Sequence, residues 1–141
     1  MADDADLDAL IAALRPELDP ETYVWATMDG LAAAGALIDA VATVREPEGL
    51  SLVLPIDAAA RHGLDFAFPS ARITLTVDPS HASPSASATT VLTAAVAGAL
   101  AREGMPGRVV AGFHRDHVFV GREHAADAMA ALADLASGGA E

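Results

Sequence analysis

The densest polar cluster in this chain is His114-Arg115-Asp116-His117. Two imidazoles and a carboxylate are donors that zinc and other transition ions accept. The spacing is that of a tight turn, not the i, i+4 face of a helix, and successive strand residues point to opposite faces. Three readings therefore stand. In one, His114, Asp116 and His117 serve a metal-binding protein or a small metal-dependent enzyme, with His81 or His124 close enough in principle to join them. In another, the turn is held by hydrogen bonds, with Asp116 accepting from backbone amides and a histidine packed on its neighbour. In the third, the turn lies against a bound ligand. A second polar run, Ser80, Ser83, Ser85, Ser87, Thr89 and Thr90, precedes a helical pattern. The free N–H groups of a helix start can hold a carboxylate or phosphate; an ordinary capped helix is the plainer alternative. No Gly-x-Ser-x-Gly occurs, and no His/Asp pair is placed by the sequence beside these serines, which argues against a serine nucleophile.

Composition narrows the chemistry. Cysteine is absent, so there is no disulfide framework, zinc–thiolate site or cysteine nucleophile. The eight basic residues are all arginine, which excludes P-loop and Schiff-base lysine chemistry. A net charge of -12 argues against binding nucleic acid through its phosphates. The start, Met-Ala-Asp-Asp-Ala-Asp, has neither the basic nor the apolar region of a signal peptide, and no apolar run reaches membrane-spanning length. The expected setting is the cytoplasm, with no membrane and no nucleic acid among the partners. Hydrophobic residues make up 52% of the 141, enough for a packed domain or two small halves sharing a core.

The elements that must position these residues read as follows. Leu7, Leu10, Ile11 and Leu14 recur at helical spacing behind an acidic start, and Pro16 ends that helix. Residues 1 to 5 are expected to fray, and the acidic run there is most simply a solvated tail. Asp19-Pro20-Glu21 reads as a turn and Thr22–Thr27 as a strand, with Trp25 a core or interface anchor. Asp29–Ala40, rich in small residues, fits a loose helix or a loop. Ala42–Arg45 and Leu50–Leu54 form a hairpin about the Glu46–Gly49 turn, and a short helix runs from Pro55 and Asp57 to about His62. Phe66–Pro69 is a short apolar stretch. Ile73, Leu75 and Val77 alternate with threonines as a half-buried strand that Asp78-Pro79 stops. The next helix spans Thr89–Arg102, with Ser85 or Ser87 as N-cap and Gly104 as its stop. Arg108–Phe113 and Val118–Val120 make a second hairpin about His114–His117, and Glu123–Leu135 is the last helix. Arg45 and Arg72 are expected at the rim of the sheet. Strand, helix and strand in this order imply a right-handed crossover between parallel strands.

A weak duplication runs through this order: lone strand, connection, hairpin, helix, twice over. It predicts an α+β fold of two ferredoxin-like units packed as one body. Residues 1–69 form the first unit with its leading helix, 70–137 the second, and 138–141 a disordered tail. The second unit lacks an obvious last strand.

Three segments carry a family resemblance. They are Glu46-Pro-Glu-Gly-Leu-Ser-Leu-Val-Leu54, Leu92-Thr-Ala-Ala-Val96, and above all Val109-Val-Ala-Gly-Phe-His-Arg-Asp-His-Val-Phe-Val120. Together with Tyr23-Val24 after Pro20, they resemble small bacterial ACT-domain proteins of uncharacterised function, over roughly Leu7 to Leu135. The resemblance implies tandem βαββαβ units with antiparallel sheets. It also implies small-molecule binding, often of an amino acid, in regulation rather than catalysis. Asp78–Ala88 departs from the pattern. It is longer and richer in Ser, Ala and Pro, with Thr90-Val91 where a glycine is usual in the segment that lines the ligand site. The expectation is a non-catalytic, cofactor-free regulatory module and homodimer binding an amino acid or similar carboxylate. Ser85, Ser87, Thr89 and Thr90 would hold the carboxylate, and His114, Asp116 and His117 would close the site. Metal chemistry at that turn and a purely structural interaction domain are the alternatives.

Overall fold

The computed structural model describes residues 4–29, 34–77 and 86–138, without the side chains of residues 4–7, 77 and 86–89. Its order is α1 (Asp4–Ala12), β1 (Leu14–Met28), a short 3-10 helix (Ala34–Ile38), β2 (Ala42–Glu46), β3 (Gly49–Pro55), α2 (Ile56–Arg61), β4 (Asp65–Val77), α3 (Ala86–Arg102), β5 (Arg108–Ala111), β6 (Asp116–Gly121), a 3-10 turn (Arg122–His124) and α4 (Ala125–Ala136).

The six strands form one sheet in the order β2-β3-β1-β4-β6-β5, and every neighbouring pair is antiparallel. The expected crossover holds in modified form: β4 and β5 run parallel, with β6 inserted between them. The segment read as a turn at Asp19-Pro20-Glu21 is a local kink inside one long strand, a correction to the sequence reading. The Glu21 N–H donates to Asp19 Oδ1 at 2.8 Å, as in an Asx turn, and the register against β4 shifts between Leu18 and Thr22. Nor does the leading helix reach Leu14. Leu14–Leu18 pair with Ile73–Val77 on the side of β4 away from β6. Likewise, Phe66–Pro69 is no separate stretch but the first part of β4. A bulge there sets Phe68 at φ +61°, a conformation that costs a bulky L residue about 1–3 kcal/mol.

Alternation along the strands sends one set of side chains to a helix-covered face and the other to an open face. Beneath α1, α3 and α4, the residues Ile73, Val96, Leu100, Val118, Val120, Ala128 and Leu132 are fully buried. Leu92, Val96 and Leu100 recur every four residues, which is why this stretch is a helix with a single apolar stripe. Gly104 ends it at φ +79°, and the Met105 N–H donates back to the Leu100 carbonyl at 2.9 Å. Under α2 and the Ala34–Ile38 turn, Val24, Ala26, Ala36, Leu52 and Leu54 form a second cluster on the same face. Among the described residues, no helix is long and apolar enough to cross a membrane.

Candidate functional site

The two polar segments singled out in the sequence meet in part. Ser85 lies outside the described residues, as does most of the Asp78–Ala88 connection. α3 starts at Ala86, three residues earlier than expected, so Ser87 falls inside the helix and is not its cap. Thr89 also lies in its first turns, and Thr90 is exposed one position on. One turn further, the Thr93 hydroxyl donates to Asp116 Oδ2 at 2.6 Å. Asp116 is buried, and it reaches α3 because it points to the helix-covered face. The start of β6 is thereby tied to the N-terminal half of α3.

The hairpin turn is Gly112–Arg115, not His114–His117: Asp116 and His117 are already strand residues. It closes through the Gly112 N–H and the Arg115 carbonyl, 2.8 Å apart. A Cβ on Gly112 would sit 2.8 Å from that same carbonyl oxygen, so the turn needs glycine. His114 is exposed, with its ring edge against Phe113 at 4.9 Å, which matches the expected packing on a neighbour. The expected capping of backbone amides by Asp116 is replaced by its bond to Thr93. Asp116 and His117 leave opposite faces of the sheet, so the three side chains do not converge. No group of three His, Cys, Asp or Glu among the described residues is placed to hold a metal ion.

His117 instead joins a polar cluster on the open face that the sequence reading missed. Arg72 is its centre and does not sit at the rim. Its Nη2 lies 3.3 Å from His117 Nδ1, and its Nη1 lies 3.3 Å from the Tyr23 hydroxyl and 3.8 Å from Asp19 Oδ2. Thr74 Oγ1 stands 3.1 Å from the same imidazole nitrogen. Tyr23 donates to Asp19 Oδ2 at 2.9 Å. Among the described residues, Arg72 Nε is buried without a hydrogen-bond partner. The only sequence signal for this cluster is register: Thr74 faces His117 and Arg72 faces Phe119 across β4 and β6. Beside it, Phe119 meets Tyr23 and Trp25 edge to face, at 5.9 and 5.0 Å. Trp25 is therefore a half-buried anchor of this open-face cluster.

A guanidinium only donates, so Nδ1 of His117 is the acceptor and the neutral ring carries its proton on Nε2. Burial, aided by Arg72, holds the His117 pKa below its ordinary value of 6.5. The unfolded chain therefore takes up that proton first as pH falls. Stability from this group is present above about pH 6.5 and declines as pH drops from there through the folded-state pKa. Thermal melts across this range should show the wild type losing more stability on acidification than His117→Gln; parallel curves would contradict the assignment. At the alkaline side, burial pushes the Tyr23 phenol up, with Arg72 opposing and Asp19 adding to the shift.

Comparison with known proteins adds the following. Residues 4–71 match the family model described as ACT domain. A Vibrio cholerae protein of unknown function, described as a possible transport protein, is 38% identical. The match covers 92% of this chain and 95% of that one, with a TM-score of 0.78. An Agrobacterium tumefaciens protein shares the fold at 20% identity, with 87% and 89% of the two chains covered and a TM-score of 0.62. So does the regulatory subunit of aspartate kinase from Thermus thermophilus, at 14% identity, 86% and 96% coverage, and a TM-score of 0.60. No curated protein matches the chain.

Proposed function

We propose that this chain, which belongs to the ACT-domain family, is a non-catalytic regulatory module that senses an amino acid or a similar small carboxylate. Fold likeness to a regulatory subunit of aspartate kinase supports the regulatory part of this reading. In this proposal the chain comprises two ACT-type units, residues 1–69 and 70–137. The strand orders β4-β1-β3-β2 and β1-β4-β6-β5 support it, because each is the 4-1-3-2 order of a ferredoxin-like unit once β1 and β4 are counted in both. Leu14–Leu18 would then be the last strand that the second half lacks. We further place the module in the cytoplasm as a homodimer, a reading that the absence of cysteine and the unpaired outer edges of β2 and β5 favour.

The ligand's carboxylate would be held at the start of α3 by Ser85, Ser87, Thr89 and Thr90, with the β5–β6 turn closing over it. The observation that carries this is the Thr93–Asp116 hydrogen bond, which holds the end of that turn against α3. Asp116 faces this side directly; His114 would have to swing in, and His117 would act from the opposite face through its neighbours. A thermal-shift screen against the twenty amino acids tests the reading. A ligand at a hundred times its dissociation constant adds roughly 2.7 kcal/mol, which is several degrees for a chain of this size. The shift should appear with at least one amino acid and vanish in the Ser87→Ala/Thr90→Val protein. Failure of every amino acid to shift the wild type would sink the sensing role. An undiminished shift in the double variant would sink the site.

A further inference from the structure

A cleft of about 620 Å³ opens at the other end of the β4–β6 strands, where the β4 bulge faces the approach to β5 and the end of β6. Its volume suits a small molecule. Phe68 and Phe119 give it an apolar wall, and Arg108, Arg122 and Glu123 give it charge. The Arg108 guanidinium lies over the Phe68 ring, 4.0 Å from its centre, and 5.3 Å from that of Trp25. The strained φ of Phe68 places the ring that holds it there. Stacking occupies the faces of a guanidinium and leaves its N–H edge for a planar anion. In a chain of net charge -12, Arg108 and Arg122 are two cations brought to one cleft. Neither has a carboxylate partner among the described residues. Glu123 pairs with His124 at 3.8 Å and folds back over Gly121, where a Cβ would come within 2.9 Å of its Oε1.

We infer that this cleft is a second ligand site, for a small monocarboxylate with an apolar body. Two arginines against one glutamate leave a single positive charge, which matches a carboxylate better than a doubly charged phosphate. Arg108 receives the carboxylate edge-on, Arg122 adds the second cation, and the apolar body lies against Phe119 and the Phe68–Pro69 bulge. The site is separate from the one proposed at α3, so either can fail without the other.

Trp25 is the only tryptophan and stands beside Arg108, so its emission reports on the cleft. Sodium phenylacetate is titrated to about 10 mM, ten times a millimolar dissociation constant. Sodium acetate and inorganic phosphate serve as comparators, and amide shifts of Gly107, Gly121 and Arg122 in proton–nitrogen correlation spectra give a second readout. The expected result is saturable binding of phenylacetate, at least tenfold weaker in Arg108→Gln and in Arg122→Gln. Arg45→Gln, in β2 and outside both sites, should bind as the wild type does. Arg122 is exposed and makes no side-chain hydrogen bond or ion pair among the described residues, so its variant keeps the test sound if Arg108→Gln misfolds. No saturation, binding as tight as the wild type's in either arginine variant, or phosphate binding as tightly as phenylacetate would overturn the assignment.

Discussion

Replacing Ile73 with alanine is expected to lower the unfolding free energy by about 2–5 kcal/mol, a large share of what a domain of this size has. Ile73 is fully buried, in the strand that both Leu18 of β1 and Val118 of β6 flank. It belongs to the cluster in which Leu100 of α3 and Leu132 of α4 are also fully buried, so the truncated side chain leaves a void between packed layers that cannot close. Urea unfolding followed by circular dichroism measures the effect as a shift in midpoint at unchanged slope. Ile38, 89% exposed, is the control: alanine there should move stability by no more than about 0.5 kcal/mol. Equal costs at the two positions would mean that the layer described above Ile73 is absent in solution.

A larger loss is expected from a chain shortened to begin at Asp19. It forfeits the ladder from Leu14–Leu18 to Ile73–Val77 and the buried side chains of Leu10 and Leu14. Burial of two leucines alone is worth about 3–6 kcal/mol, comparable with the whole stability of many domains. The shortened chain should show no cooperative melting transition, or one far below that of the full chain. A transition at the full chain's midpoint would show that the first half of β1 does not complete the sheet.

These two results bear on how much could be read in advance. Periodicity found the elements that bury one clear stripe: α3 and α4, and the alternating Ile73–Val77 segment. It failed at Pro16 and Pro20, because proline ordinarily ends a strand. Here β3 pairs only with Tyr23–Met28 of β1, so the half that holds Pro16 is paired on one side alone and can spare an N–H. Pro20 sits in the kink where the register shifts anyway. Both exceptions depend on partners about fifty to sixty residues away, which local pattern cannot reveal. The candidate site was legible to the same extent. Chemistry drew attention to His114, Asp116 and His117, yet a one-residue difference in where β6 begins decides which face each side chain takes. Arg72 and Arg108 were passed over because an isolated arginine beside a strand carries no spacing signal. Only the register of β4 against β6, and of β5 against β6, brings them to the aromatic side chains and to His117.

β1 also has a history within synthesis. As the chain is made, residues 14 to 18 emerge well before β4, and the Arg15 carbonyl receives the Thr76 hydroxyl from 61 residues later. This half of β1 thus waits for β4 to be made before it is satisfied. Until Ile73–Val77 arrives, the early strand presents an unpaired, partly apolar edge, the kind of surface that recruits chaperones or a neighbouring nascent copy.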